Sequence, residues 1–297
     1  MPTRVGLVKL FAPPEGPAAR GRLRGGAKRG RRACPTPGGV AGLVERGRLR
    51  ALALLAGVVF AAPGLLEPPL AGVELTRLRL GLGRRVLLLA DMHIHGKPNA
   101  MAVEAARASK PDVIVVAGDT WDKRSPGLAA VEETLREAAR HARAGVAVLG
   151  NHEEWARGRI SLEDGIRVLE DAGYTVLVDS DAEVQGLRVA GLRWRDNPRR
   201  YEEPLSRLAP GTDIVVSHSP DAFNHLPRTA GRLVMLSGHT HGGQWCLPGG
   251  YAPFTNSVYG YRWGLYRRGE AVLYVSRGLG EMIPPRLYCR YQAVAIE

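Results

Sequence analysis

Cysteine is scarce in this chain: Cys34, Cys246 and Cys289 are the only three among 297 residues. They are odd in number and widely spaced, which excludes a disulfide framework and a cysteine-ligated zinc site. Aromatic residues make up only 6% of the sequence, and it contains no internal repeat. The hydrophobic fraction of 45% is enough for one large domain or two modest ones.

Most of the chain is nearly neutral, although the formal net charge of the whole sequence is +12. Residues 1–50 carry 12 Lys and Arg against two acids, whereas the remaining 247 residues carry 29 basic and 27 acidic residues. Ten Gly and six Pro in residues 1–50 are typical of a disordered segment. We therefore predict that residues 1–50 are a disordered basic leader. It is either a solvated tail, a stretch upstream of the true start of translation, or a segment that binds nucleic acid or anionic lipid.

One uncharged apolar run, ALALLAGVVFAAPGLL, occupies residues 51–66. As a helix it would be about 24 Å long, shorter than the ~30 Å hydrocarbon core of a bilayer. Arginines precede it, and the small residues Ala61 and Ala62 close it. Residues 51–67 are therefore predicted to be a signal peptide or signal anchor that places the domain after it outside the cytoplasm, in a membrane-associated or exported protein. The alternatives are a buried helix of the domain, or a cytoplasmic protein whose leader is a misassigned start.

Strand-like and helix-like runs alternate from residue 73 onward, and we predict a single domain over residues 73–297. Continuous apolar runs at 85–91, 112–119 and 145–151 are typical of buried strands. Helical patterns separate these runs, which predicts a largely parallel sheet covered by helices.

The sequence also predicts two helix starts and a second sheet. Ser125 and Ser161 are placed to cap the second and third helices of the domain. Residues 259–278 and 291–297 have the pattern of a hairpin and a final strand, without helices between them. They predict a second, more antiparallel sheet.

Five of the predicted strands end in side chains that can bind a metal or transfer a proton. The last of them ends in SGHTHGGQ (237–244), where two histidines lie two positions apart among glycines, a spacing that can deliver both imidazoles to a metal. Sites on open α/β sheets form at the carboxyl ends of the strands, so we expect all these side chains to lie together. They are Asp91, His93, Asp119, Asp122, Asn151, His152, His218, His239 and His241.

The ordered blocks DMH, GDTWD, GNHE, SH and GHTH resemble the calcineurin-like metallophosphoesterase superfamily. The further blocks GHTHGGQ, LPGG and SRGLG resemble its membrane-associated bacterial and archaeal phosphodiesterase branch. The resemblance implies an α/β fold, a four-layer α/β/β/α sandwich of two mixed sheets with flanking helices. It also implies a phosphoesterase that hydrolyses a phosphodiester or phosphoric anhydride, on a lipid-linked or nucleotide substrate, by attack of a hydroxide that bridges two metals.

The same resemblance implies a role for each strand-end residue. Two divalent ions are expected, and their identity is open among Mn²⁺, Fe and Zn²⁺. The implied ligands are Asp91, His93 and His241 for one ion, Asn151, His218 and His239 for the other, and Asp119 as a bridge between both. His152 would be a proton donor or transition-state stabiliser, and Asp122 would orient it.

Two other functions are compatible with these blocks. A metal-dependent nuclease would use the basic leader to hold nucleic acid, although acids nearly balance bases in the rest of the chain. A non-enzymatic metal-binding scaffold would have lost a bridging or catalytic residue, yet Asp119 and His152 are present. His95 and Arg277 are either substrate contacts or ordinary surface residues, and Trp155 lines the cleft or packs against the domain.

Overall fold

The computed structural model of the chain describes residues 10–11, 40–227, 231–282 and 284–297, so most of the predicted leader lies outside the described residues. The strands are β1 (Leu10–Phe11), β2 (Glu74–Leu78), β3 (Val86–Leu89), β4 (Val113–Ala117), β5 (Ala144–Val148), β6 (Tyr174–Val176), β7 (Ser180–Val184), β8 (Leu187–Leu192), β9 (Ile214–Ser217), β10 (Val234–Ser237), β11 (Gly264–Arg268), β12 (Ala271–Val275) and β13 (Gln292–Ile296). The α-helices are α1 (Val40–Ala71), α2 (Ala100–Ser109), α3 (Ala129–Ala139), α4 (Asn151–Trp155), α5 (Leu162–Asp171) and α6 (Glu202–Ser206).

The first sheet has the strand order β2-β13-β3-β4-β5-β6. Strands β3, β4, β5 and β6 pair in parallel, while β13 is antiparallel to β3 and parallel to β2. The final strand was predicted to join the second sheet, and this is wrong. Strand β13 is inserted into the first sheet because Ala293, Val294 and Ile296 are apolar enough to be buried on both faces there.

The second sheet has the strand order β1-β11-β12-β10-β9-β8-β7. The predicted hairpin is present as the antiparallel pair β11 and β12, and a second antiparallel pair, β7 and β8, forms the other side. Between them β8, β9, β10 and β12 are parallel. The sheet is therefore mixed, and its parallel centre directs the ends of β9 and β10 to one edge.

The two sheets pack face to face through an apolar layer that includes Leu88 and Val115 from one sheet and Val216 and Leu236 from the other. Helices α2, α3 and α5 cover the outer face of the first sheet. The short helix α6 and neighbouring 3₁₀ turns cover the outer face of the second. The predicted sandwich of two mixed sheets with flanking helices is confirmed.

Local sequence signals explain some helix ends and not others. The Ser161 hydroxyl accepts a hydrogen bond from the Asp164 N–H at 3.0 Å and caps α5, as predicted. Ser125 does not cap a helix, because α3 begins four residues later. Its hydroxyl instead donates to the carbonyl of Ile94 at 2.7 Å and accepts from the N–H of Asp122 at 3.1 Å, joining two loops at the edge of the first sheet.

Helix α1 is longer than the predicted apolar segment and contains it. Within it, Arg50–Glu67 has a mean hydropathy of 1.6, and by length and composition this window is able to cross a membrane. Only 6% of the window is buried, so the alternative of a buried helix of the domain does not fit. The helix contacts the domain near its end, where a Cβ at Gly64 would lie 2.5 Å from the ring of Tyr288.

Candidate metal centre

The nine predicted site residues lie together where the carboxyl ends of strands from both sheets meet. Asp91 and His93 follow β3, Asp119 and Asp122 follow β4, and the second residue of α4 is His152. The remaining four lie at the start of α4 and directly after β9 and β10; they are Asn151, His218, His239 and His241. The chain order of the blocks therefore becomes a single cluster because parallel strands deliver their ends to one edge.

The backbone is strained at this edge. Asp91, His93, Asp119, His239 and His241 all have a positive φ, between 41° and 73°. Residues other than glycine rarely adopt this conformation, and such strain clusters at functional sites. The chain has turned sharply at each strand end, which directs these side chains inward.

One group of side chains surrounds the end of β3. The Nε2 atoms of His93 and His241 are 3.2 Å apart, and Asp91 Oδ1 lies 3.9 Å from His241 Nε2. His93 Nε2 is also 3.8 Å from Asp119 Oδ2. Asp91, Asp119 and His241 can each offer one ligand atom within 4.8 Å of the others, as a metal site requires.

A second group lies on the other side of Asp119. Asn151 Oδ1 is 3.0 Å from His218 Nε2 and 2.9 Å from His239 Nδ1. His218 Nε2 is 3.2 Å from Asp119 Oδ2. His218 Nδ1 is 2.8 Å from the carbonyl of Ala117, a contact in which Nδ1–H donates and directs Nε2 toward Asp119.

The donor atoms of both groups fit divalent metal ions. Asp91 Oδ2 is buried and lacks a hydrogen-bond partner in the described part of the chain. Buried polar atoms are normally paired, so lone pairs left open suit a cation. Carboxylate, amide and imidazole ligands without cysteine are compatible with Mn²⁺, Fe and Zn²⁺.

Burial controls the protonation of these side chains. Burial and the charge of His218 lower the pKa of His239 to about 3. Burial, His93 and Arg286 hold the pKa of His241 well below its ordinary value. Burial would also lower the pKa of His218, but the Asp119 carboxylate raises it to about 9. At neutral pH, His239 and His241 are therefore uncharged, the form in which an imidazole binds a metal.

His152 lies beside the two groups and faces a cleft of about 460 Å³, whose lining includes Asn151, His239 and Trp155. Its backbone N–H donates to Asp119 Oδ1 at 2.9 Å. Its ring stands edge-on to His93, with 4.8 Å between ring centroids, and to Trp155, with 5.0 Å. Of the two possibilities for Trp155, the structure places it in the cleft.

Asp122 was predicted to orient His152, and in the described residues its carboxylate bonds to other side chains. Asp122 Oδ2 is 2.9 Å from His93 Nδ1, 2.8 Å from His95 Nε2 and 3.0 Å from Arg124 Nη2. The carboxylate therefore orients His93, because a hydrogen bond at Nδ1 fixes the direction of Nε2. His95 is not an isolated surface histidine, since it contacts the same carboxylate.

We expect Asp122→Asn to weaken metal binding by about 10- to 100-fold, the range typical of a lost outer-shell partner of a ligating histidine. The dissociation constant for Mn²⁺ is the quantity to measure, by calorimetry on the metal-free protein. Asp181→Asn, at an exposed position of β7, is the matched control and should leave the constant unchanged. Unchanged Mn²⁺ affinity together with a selective loss on alkyl esters would restore the predicted role toward His152.

Glu153 is a residue of the site for which the sequence predicted no role. It is fully buried, and its carboxylate accepts hydrogen bonds from the backbone N–H groups of Asp119, Thr120 and Gly150. Burial and the charge of Asp119 raise its pKa to about 7. Glu153 thus ties the loop after β4 to the loop after β5. The only sequence signal for it is an acid in the first turn of a helix that begins after glycine.

Two arginines hold the loops beneath the site. The buried Arg286 donates to the carbonyls of His241, Arg277 and Gly280, at 3.3, 2.8 and 3.1 Å. Arg277 is buried, forms an ion pair with Glu74 at 2.8 Å and stacks on the ring of Trp263. The interpretation of Arg277 as an ordinary surface residue is therefore wrong, and Arg277 is not among the residues that line the cleft of His152.

Comparison with known proteins is consistent with this geometry. A family profile described as calcineurin-like phosphoesterase matches residues 84–243, a range that includes all nine predicted site residues. The uncharacterized metallophosphoesterase YkuE of Bacillus subtilis is 30% identical over 257 residues, which are 79% of this chain and 87% of YkuE. The phosphodiesterase YaeI of Escherichia coli is 30% identical over 247 residues, 75% of this chain and 87% of YaeI. Among solved structures, TT1561 of Thermus thermophilus matches with a TM-score of 0.44 and 14% identity, over 67% of this chain and 91% of TT1561.

Proposed function

The chain belongs to the calcineurin-like phosphoesterase family and is a metal-dependent phosphoester hydrolase, and from this premise we propose that it cleaves phosphodiesters at a centre of two divalent metal ions. One observation carries the proposal: two groups of ligand-competent side chains share the carboxylate of Asp119. Asp119 is almost completely buried, at 1% exposure, between them. A shared carboxylate between two ligand sets is the arrangement that a pair of neighbouring ions needs.

Each group would hold one ion through the ligands that the sequence implies. These are Asp91, His93 and His241 on one side, Asn151, His218 and His239 on the other, and Asp119 between them. Two divalent ions held there would lower the pKa of a water molecule and polarise the phosphoryl group for in-line displacement. Because only two of the ligands are carboxylates, the centre would keep a positive charge, which suits an anionic phosphoester.

The remaining chemistry is supplied by His152. Its ring lies at the junction of the ligand groups and the cleft, so it can reach the oxygen that leaves the phosphorus atom. We assign it the donation of a proton to that oxygen. The hydrogen bond from its backbone N–H to Asp119 fixes the position of the imidazole relative to the ligands.

The choice of diester over monoester is supported by the relative YaeI, which is described as a phosphodiesterase. We expect the full chain with added Mn²⁺ to hydrolyse bis-nitrophenyl phosphate faster than nitrophenyl phosphate, measured as kcat/KM for both. Faster hydrolysis of the monoester would contradict the choice of diester, and hydrolysis of neither after Mn²⁺ is added would contradict the proposed centre. Cleavage of DNA or RNA in the same assay would favour the nuclease.

We also propose that helix α1 anchors the chain in a membrane, with the catalytic domain on the extracytoplasmic side. The support is the exposed apolar window Arg50–Glu67 and the arginine that begins it. Basic residues stay on the cytoplasmic side of a membrane segment, so the domain that follows would lie on the opposite side. Recovery of the intact protein in the soluble cytoplasmic fraction would overturn this proposal.

A further inference from the structure

Exposed apolar side chains are concentrated in two places. In the described part of the chain, sixteen large apolar residues are exposed, and fourteen of them lie either on α1 or in the loops between residues 245 and 282. Eight belong to α1. The other six form a surface that we name the apolar rim: Trp245, Leu247, Tyr251, Phe254, Val258 and Met282. Such a concentration marks an interaction surface, because soluble proteins rarely expose a large contiguous apolar patch.

The apolar rim is continuous with the docking site of α1. Trp245 Nε1–H donates to the carbonyl of Pro285 at 3.0 Å, and the N–H of Cys246 donates to the carbonyl of Leu287 at 2.8 Å. The next residue, Tyr288, donates from its N–H to the carbonyl of Gly64 at 2.9 Å and from its hydroxyl to that of Phe60 at 2.7 Å. One short segment therefore joins the helix to the rim.

These contacts fix the height of the domain relative to the apolar window of α1. Phe60 lies inside the window, and its distance to the last residue, Glu67, is about 10 Å along the helix axis. A domain attached at Phe60 and Gly64 has no spacer that could lift it from a membrane. Tryptophan and tyrosine, both present in the apolar rim, are the residues enriched at the membrane–water interface.

The apolar rim also borders the metal centre. A cavity of about 190 Å³ is lined by His241 on one side and by Trp245, Phe254 and Met282 on the other. Met282 and Val258 line the larger cleft that contains His152. An amphipathic molecule whose apolar part lies on the apolar rim therefore has its polar end beside the ligand groups.

We propose that the apolar rim rests on the lipid bilayer and that the centre hydrolyses phosphoesters of lipids held in that bilayer. The substrate class rests on the proposed phosphodiesterase function, whereas the membrane contact rests on the proposed anchoring by α1 and not on that activity. The lipid chains remain against the rim and the phosphoester enters the cleft at the level of the headgroups.

Tryptophan quenching tests the membrane contact without reference to activity. The probe is the full chain in phosphatidylcholine vesicles that contain lipids brominated near the headgroup. We expect bromine quenching in the wild type to be largely lost in Trp245→Phe and retained in Trp155→Phe. Trp155 is the matched control because it has the same 50% exposure but lies in the cleft. Absence of quenching in the wild type, or equal loss in the two variants, would overturn the contact.

Kinetics test the substrate class. The two probes share one leaving group: phosphatidyl nitrophenol in phosphatidylcholine vesicles and soluble bis-nitrophenyl phosphate. We expect Leu247→Ser to lower kcat/KM about tenfold on the vesicle ester, because an apolar contact with the bilayer is lost, and to leave the soluble ester within about twofold. Val178→Ser, which removes a comparably exposed apolar side chain elsewhere, should change neither.

The outcomes separate the two proposals. A wild type that hydrolyses the soluble ester and not the vesicle ester would overturn the lipid substrate while leaving the proposed function intact. Equal losses of kcat/KM on both esters in Leu247→Ser would show that the loop supports the fold of the site. That result would also overturn the lipid substrate. A wild type that hydrolyses neither ester would contradict the proposed function, and the quenching result would still decide the membrane contact.

Discussion

Asp119→Asn is expected to lower kcat for the soluble diester by about 10³-fold or more. Among the residues that the structure describes, Asp119 is the one whose carboxylate belongs to ligand sets on both sides of the centre. An amide is uncharged and offers one strong acceptor oxygen, so it cannot serve both sets. Stabilisation of transition-state charge by a metal is worth several kcal/mol, and loss of about 4 kcal/mol corresponds to that factor. The measurement is steady-state hydrolysis with Mn²⁺ in excess.

The control for this variant is Asp112→Asn. Asp112 lies at the opposite end of β4, where its carboxylate accepts from the N–H of Arg85 at 3.0 Å. Asp112→Asn makes the same chemical change just before β4, whereas Asp119 follows β4 at the ligand groups, so activity should be retained. Thermal unfolding of both variants shows whether the fold is preserved. A folded Asp119→Asn protein with near wild-type kcat would contradict the assigned role.

His152→Ala is expected to lower kcat by about 10² to 10⁴ for alkyl phosphodiesters, the range typical of a lost general acid. Nitrophenyl esters should lose much less, because nitrophenolate leaves without needing a proton. Metal content should remain unchanged, because His152 is in neither ligand set. The comparison requires the same enzyme preparation with the two ester types, and metal analysis of each sample.

Two other results for His152→Ala would change its role. Equal losses on both ester types, with metal retained, would mean that the imidazole stabilises the phosphoryl group and does not protonate the leaving oxygen. Loss of metal would mean that His152 is itself a ligand. A ligand role for His152 is compatible with the structure, because a His152 nitrogen lies within 4.8 Å of ligand atoms of His93 and Asp119.

The positions of the site residues were predictable because each followed a buried apolar run. Asp91 after β3 and His239 after β10 needed only the rule that parallel strands end at one edge. The division of the ligands into two sets came from the family resemblance, and the structure groups the side chains in a compatible way. What the sequence could not show is that five of these residues turn through a left-handed backbone to face each other.

The supporting contacts were not predictable, because they depend on packing between segments far apart in sequence. Asp122 was expected beside His152, yet the loop geometry places its carboxylate against His93. Arg286 has no local pattern that indicates a buried guanidinium bonded to three backbone carbonyls. Likewise, the sequence of β13 is compatible with either sheet. Its five residues are all buried, which fits the first sheet, where a strand is covered on both faces.

Metal stoichiometry decides whether two metal ions share Asp119. Purified protein is stripped with a chelator, titrated with Mn²⁺ while activity is followed, and analysed for metal after removal of the unbound ion. We predict two Mn²⁺ ions per chain at full activity, and fewer than two in Asp119→Asn under the same conditions. Full wild-type activity with one ion per chain, or with none, would contradict the claim.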